Sequence, residues 1–223
     1  MRSESTGRCV PKTCKSWLCP WCNVWLREGA RKLLVSGMQT RPEGYDLALF
    51  TFTEPAAATL DLEGLRQRHK ATIKRLRRRG WVAAYCTTVE RQKRGALHPH
   101  IIAHVPREIC DRMWEHGDQR RTREQWRWHF NELVPMAREL GWGPVCDARA
   151  AAVSNELARY AIKSLANYAT KEAWAQLKGA GVKRIRPVRA SRTWAPANLR
   201  EFQRGDQASD VGPWVDIKLP RTC

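Results

Sequence analysis

Two strand-like runs on either side of one short polar turn constrain this chain more than anything else in it. WVAAYCTTVE (81–90) and ALHPHIIAHV (96–105) are rich in β-branched, aromatic and small apolar residues, and the RQKRG between them reads as a turn. An antiparallel hairpin is expected, and with it a sheet. Alternation along the second strand sends His98, His100 and His104 to one face and Ile101 and Ala103 to the other. Three of the six histidines of the chain therefore share one side of one strand. Imidazoles at i and i+2 can share a divalent cation, and Glu90, at the end of the partner strand, can add a hard oxygen ligand. Histidines packed on a sheet fit the same pattern, so the hairpin alone leaves both readings open. Pro99 removes a ladder donor, which predicts an edge or bulged position for this strand.

The flanking sequence alternates between helix and strand. Residues 24–38 read as a helix ending near Gly37, and YDLALFTFT (45–53) as a strand stopped by Glu54-Pro55. Residues 60–80 form an amphipathic pattern with Leu62, Leu65, Ile73 and Leu76 on one side, a basic opposite face, and Gly80 at the close. Residues 122–140 are helical, with a kink or break at Pro135. GPVCDAR (143–149) suggests a short strand, and 154–179 a long helix opened by Ser154 or Asn155. The rest is an irregular tail with KRIRPVRASR (183–192) as its basic centre. The order implies an α+β fold on an antiparallel sheet.

Charge narrows the partner. Forty Lys and Arg against 22 Asp and Glu give 40 − 22 = +18, an electrostatic footprint for a polyanion, with nucleic acid first. Some of the eleven tryptophans could stack on exposed bases. No stretch approaches the roughly 20 apolar residues of a membrane span, and no apolar signal core follows the basic start, so a cytoplasmic protein is expected. In such a reducing compartment eight cysteines argue against a disulfide framework. Cys9, Cys14, Cys19 and Cys22 fall within fourteen residues, a spacing that can close a tetrahedral structural zinc site, while the other four are scattered.

A second chemical constellation lies on the long helix. Glu156, Tyr160 and Lys163 are spaced i, i+4, i+7 and share one helical face. Positive charge near a tyrosine favours its phenolate, a competent nucleophile towards phosphorus, and a carboxylate one turn away can activate a water or hydroxyl. Tyr168 and Lys171 repeat the spacing eight residues on, about 80° around the helix. Amphipathic packing tyrosines would look the same.

Taken together these segments resemble the rolling-circle replication initiators of plasmids, within the endonucleases named for a His-hydrophobic-His motif. LFTFTEP (49–55) is similar to the family's first motif, HPHIIAHV to its metal-binding second, and ELARYAIK (156–163) to its third, in the expected order. The cysteine-rich start resembles that of the branch found in small Gram-positive plasmids, and RPVRASRTWAP (186–196) is similar to a tail seen in phage and plasmid relatives. The resemblance implies a ferredoxin- or RRM-like core of antiparallel sheet and packed helices, carrying a small N-terminal zinc-binding segment. It implies a nickase domain at 41–180, after a zinc segment and helix at 1–40 and before a basic tail at 181–223. Tyr160 would attack an origin phosphodiester to leave a 5′-phosphotyrosine and a priming 3′-hydroxyl, with Tyr168 as the alternative nucleophile. His98, His100 and Glu90 would hold Mg²⁺ or Mn²⁺, His104 offering itself as the alternative partner of His100. Glu156 would serve the closing cleavage, and Lys163 would assist at the phosphate. A single-strand transposase shares this chemistry, and a non-enzymatic zinc-containing DNA-binding module would need only the charge and the cysteines. Nothing Walker-like is present, so unwinding would fall to a host helicase.

Overall fold

The computed structural model describes residues 17, 20–55, 62–91, 97–115, 120–151 and 188–196. The hairpin forms. Strands β2 (Ala84–Arg91) and β3 (Leu97–Pro106) pair antiparallel, with Glu90 opposite His98 and Thr88 opposite His100. Strand β1 (Tyr45–Phe52) lies on the other side of β3, and β5 (Cys146–Ala151) beyond β1, both antiparallel. Two short strands complete the sheet: β4 (Trp114–Glu115), parallel to β5, and β6 (Val188–Ala190), antiparallel to β2. The resulting order is β4-β5-β1-β3-β2-β6. The protein is thus α+β, built on five antiparallel strands with one parallel addition.

β3 sits inside this sheet, not at an edge, and its ladder with β2 passes unbroken through Val89 and Pro99. The expected edge or bulge is absent because the ladder with β1 stops at Thr51 and His100, one position short of Pro99. The missing N–H therefore falls at the end of one ladder and interrupts neither. Beyond the proline Glu54 resumes the pairing. Its backbone N–H donates to the Leu97 carbonyl, and its side-chain Oε2 accepts from the Leu97 N–H at 3.3 Å.

The two sheet faces are covered by different helices. Helix α1 (Pro20–Gln39) buries Leu26, Ala30, Leu33, Leu34 and Met38, a helical stripe, over the face that carries His104. Helix α2 (Leu62–Arg78) covers the opposite face with Leu65, His69, Thr72, Ile73 and Leu76. The polar members of that stripe are satisfied: His69 Nε2 meets Thr87 Oγ1 at 2.8 Å, and Thr72 Oγ1 accepts from the Trp142 indole at 2.8 Å. Gly80 takes φ +68 just beyond α2, the left-handed turn expected to end it.

After a single turn, α3 (Arg107–Cys110), the chain enters α4 (Arg123–Trp128), capped by Thr122 and Gln125 in a reciprocal capping box. A π-helical turn (His129–Leu133) joins it to α5 (Val134–Glu139). The break foreseen at Pro135 takes this form, because proline donates no i→i−4 bond and crowds the preceding carbonyl. Among the described residues no helix is long and apolar enough to cross a membrane.

Two features depart from expectation. Gly37 does not end α1, which continues to Gln39; instead, a Cβ at Gly37 would meet three atoms of the Trp194 indole closer than 3.0 Å. The glycine makes room for that ring. Residues 188–196, read as irregular tail, supply β6 and the fully buried Trp194, whose Nε1 donates to the Leu33 carbonyl at 3.2 Å. One buried apolar cluster runs from Trp17 to Trp194.

Candidate functional site

His98 and His100, neighbours on one side of the β3 pleat, lean together until their ring centroids are 4.5 Å apart and their planes 28° apart. His100 is buried, and Thr51, directly opposite on β1, meets its Nδ1 at 3.2 Å. With Nδ1 engaged, Nε2 becomes the nitrogen that would face a ligand, the usual way an outer partner orients a ligating imidazole. Register sets Glu90 opposite His98 across the hairpin. Two imidazoles and a carboxylate position are thus gathered at one end of β3.

His104 is placed differently. Four residues along a strand is about 13 Å, and its surroundings are structural. Its Nε2 donates to the Gly37 carbonyl at 2.8 Å, and its ring stacks on Trp194 with centroids 4.7 Å apart. Burial holds its pKa below the usual histidine value, the Gly37 bond opposing this and the Arg41 charge adding to it. The neutral imidazole belongs to the seam between α1, β3 and the 188–196 segment.

Two carboxylates not singled out in the sequence are linked to this end of β3 through the sheet. Asp147 of β5 pairs with Thr51, so it shares the cross-strand row Asp147–Thr51–His100. Its Oδ2 accepts from Arg149 Nε at 2.5 Å, while its buried Oδ1 has no partner among the described residues. Only the register, invisible in GPVCDAR, brings it to this row. The second is Glu54, which is buried and ion-paired with Arg68 of α2. Through its bonds to Leu97 it anchors the residue before His98, from the opposite face of the sheet. In the sequence it reads as a strand stop.

On the α2 side, a cleft of about 290 Å³ carries Arg66, Lys70 and Arg189 beside His69 and Tyr85. Burial, with a smaller contribution from the Arg189 charge, pushes His69 down to about 4, so it is neutral there at physiological pH.

Glu156, Tyr160, Lys163 and Tyr168 lie outside the described residues, as do Cys9, Cys14 and Cys19. Cys22 is buried near the start of α1. Among the described residues, no group of three or more His, Cys, Asp or Glu converges as a metal cage. No family model, curated protein or solved structure matches this chain. The functional reading therefore rests on its own residues.

Proposed function

We propose that this chain is a metal-dependent, site-specific single-strand DNA nickase and strand transferase of the rolling-circle initiator type. The observation that carries the reading is the His98–His100 pair, with ring centroids 4.5 Å apart and Glu90 at the opposing register position. Imidazole nitrogen with carboxylate oxygen is a donor set that suits Mn²⁺, and Mg²⁺ with retained waters. When bound, such a cation supplies Lewis-acid polarisation of the scissile phosphate.

The protein's own groups account for the remaining steps. Thr51 keeps the His100 ring turned by holding its Nδ1. Tyr160, or Tyr168 in its place, forms the new Oη–P bond as the P–O3′ bond breaks. The phenolic proton leaves to solvent or a nearby base, and the departing 3′-oxygen gains one to become the priming hydroxyl. Lys163 stabilises the phenolate and phosphate charge, and Glu156 activates the water or hydroxyl that later releases the 5′-phosphotyrosine. Cys9, Cys14, Cys19 and Cys22 would hold a structural zinc. The excess of 18 positive charges supplies a largely electrostatic hold on DNA that weakens steeply with salt. A host helicase would unwind ahead of the nick.

The test is nicking of a supercoiled plasmid bearing the cognate origin, in Mn²⁺, by the parent, Tyr160→Phe, Tyr168→Phe and His100→Ala. Loss of nicking in His100→Ala and in one tyrosine variant, together with a covalent protein–DNA adduct in the parent, supports the mechanism. Parent-like nicking by both tyrosine variants refutes it.

A further inference from the structure

At the β4–β5 edge of the sheet, α4 and the π-helical turn present an aromatic cluster that the nicking mechanism does not use. Trp126 and Phe130 are stacked face to face, with centroids 5.3 Å apart and planes 4° apart, yet they remain 40% and 55% exposed. Trp114 lies beneath, edge-on to Trp126 at 5.3 Å, and Arg121 is inserted with its guanidinium 3.3 Å over Trp114 and 4.9 Å from the Trp126 ring. His129 closes the base at 4.4 Å from Trp114. Large aromatic rings held rigid and left in water are costly unless they receive something. Two buried polar atoms behind them, Trp114 Nε1 and His129 Nδ1, have no partner among the described residues, a further cost of the kind retained at functional surfaces. The π turn that supplies His129 and Phe130, set by Pro135, is a form frequent at functional sites.

Charge identifies the occupant. Residues 120–130 hold four arginines against one glutamate, and Arg123 and Arg127 are exposed beside the rings. A second copy docked through the same patch would set these arginines against their own equivalents. A partner that offers both flat π faces and negative charge avoids that conflict. Single-stranded nucleic acid offers both, whereas a duplex keeps its base faces stacked on one another. We propose that Trp126 and Phe130, steadied by Arg121 and Trp114, form a base-stacking platform for a single nucleic-acid strand. Trp114, on β4, lies three strand spacings from β3, in the row Arg149–Leu49–Ile102, two residues along from His100. About 14 Å across the strands and about 7 Å along them make about 16 Å, or about five nucleotides at the spacing of a stacked strand. The platform then holds the strand flanking the scissile phosphate. That placement rests on the nickase reading; the binding itself does not.

The experiment is fluorescence anisotropy of a labelled oligothymidylate of about 12 nucleotides, in EDTA so that no cleavage contributes. Phe130→Ala and Trp126→Ala should each weaken binding about 5- to 150-fold, while Phe130→Tyr binds like the parent. Trp126→Leu, apolar but without a ring to stack, should behave like Trp126→Ala. Unlabelled single strand should compete better than duplex of equal length, and oligouridylate beside oligodeoxyuridylate, which share a base, reads out whether the sugar matters. Thermal melts of the variants establish that they fold, the exposed Phe130 being the safer of the two sites. Parent-like binding by folded Phe130→Ala and Trp126→Ala overturns the proposal, as does equal competition by duplex. A parent dimer in sedimentation that both alanine variants abolish, with oligonucleotide binding intact, overturns it in favour of a second copy. Failure of the nickase reading would appear separately, as absent nicking with platform binding preserved.

Discussion

Replacing Gly37 with alanine should destabilise the protein strongly in one background and stabilise it in another. The added Cβ would meet three atoms of the Trp194 indole closer than 3.0 Å, so the ring cannot stay where it is. Displacing it forfeits a fully buried tryptophan, its bond to the Leu33 carbonyl and its stacking on His104. Large-to-small changes at buried aromatic sites cost about 3–5 kcal/mol, and eviction of Trp194 belongs in that range. For a chain of this size that corresponds to a fall in Tm of roughly 6–20 °C. With Trp194→Ala already in place the overlap is gone, and only the helical preference for alanine over glycine remains. In that background Gly37→Ala should stabilise by about 0.5–1 kcal/mol. Urea unfolding of the four proteins in the cycle measures both numbers. An equal cost for Gly37→Ala in both backgrounds would refute the idea that Gly37 is small for the sake of Trp194.

Other perturbations test neighbouring parts of the structure. Glu54→Gln removes the charge facing Arg68 and should cost about 3 kcal/mol by urea unfolding, the low end for a broken buried pair because Arg68 keeps 21% exposure; a cost below about 1 kcal/mol would mean solvent already screens the pair. Acid should weaken the fold between pH 6.5 and about 4: the unfolded chain binds a proton at His69 near 6.5 and the folded one only near 4, so stability is full above this window and declines within it. This histidine's share reaches about 3 kcal/mol, and unfolding of His69→Gln from pH 7 to pH 4 should show a correspondingly shallower decline. On the proposed nickase reading, Thr51→Val frees the His100 ring and should raise the Mn²⁺ concentration needed for half-maximal nicking about 10-fold or more with little change in melting; an unchanged metal dependence would deny Thr51 its positioning role.

The elements most legible in the sequence are those whose period is their own. The hairpin, β1 and α2 fall within a few residues of their expected bounds because alternation and the helical stripe are local properties. The face shared by His98 and His100 follows from the same alternation, and the short distance between their rings only adds that they lean together. Features that depend on a distant partner were not legible. β6 is three residues long, too short for any period, and exists because β2 offers it a ladder. Gly37 resembles a helix stop until Trp194 is seen against it, and Glu54 a strand stop until Arg68 and Leu97 claim its carboxylate. Asp147 joins the row of His100 only through the register of β5 on β1. Pro99 misled because the rule confining proline to edges concerns a ladder's middle, and here one ladder ends beside it.

The Trp194 seam also has a consequence for synthesis. Leu33 and Trp194, joined by a hydrogen bond, are 161 residues apart in the chain. At the usual pace of translation, about 5–20 residues per second, α1 leaves the ribosome roughly 8–32 s before the indole that it must receive. For the last 188 − 91 = 97 residues of it, about 5–19 s, β2 is made but lacks its outer neighbour and presents an open strand edge, a template for pairing with other chains. Until residues 188–196 arrive, the unfinished chain carries that β2 edge unpaired by β6.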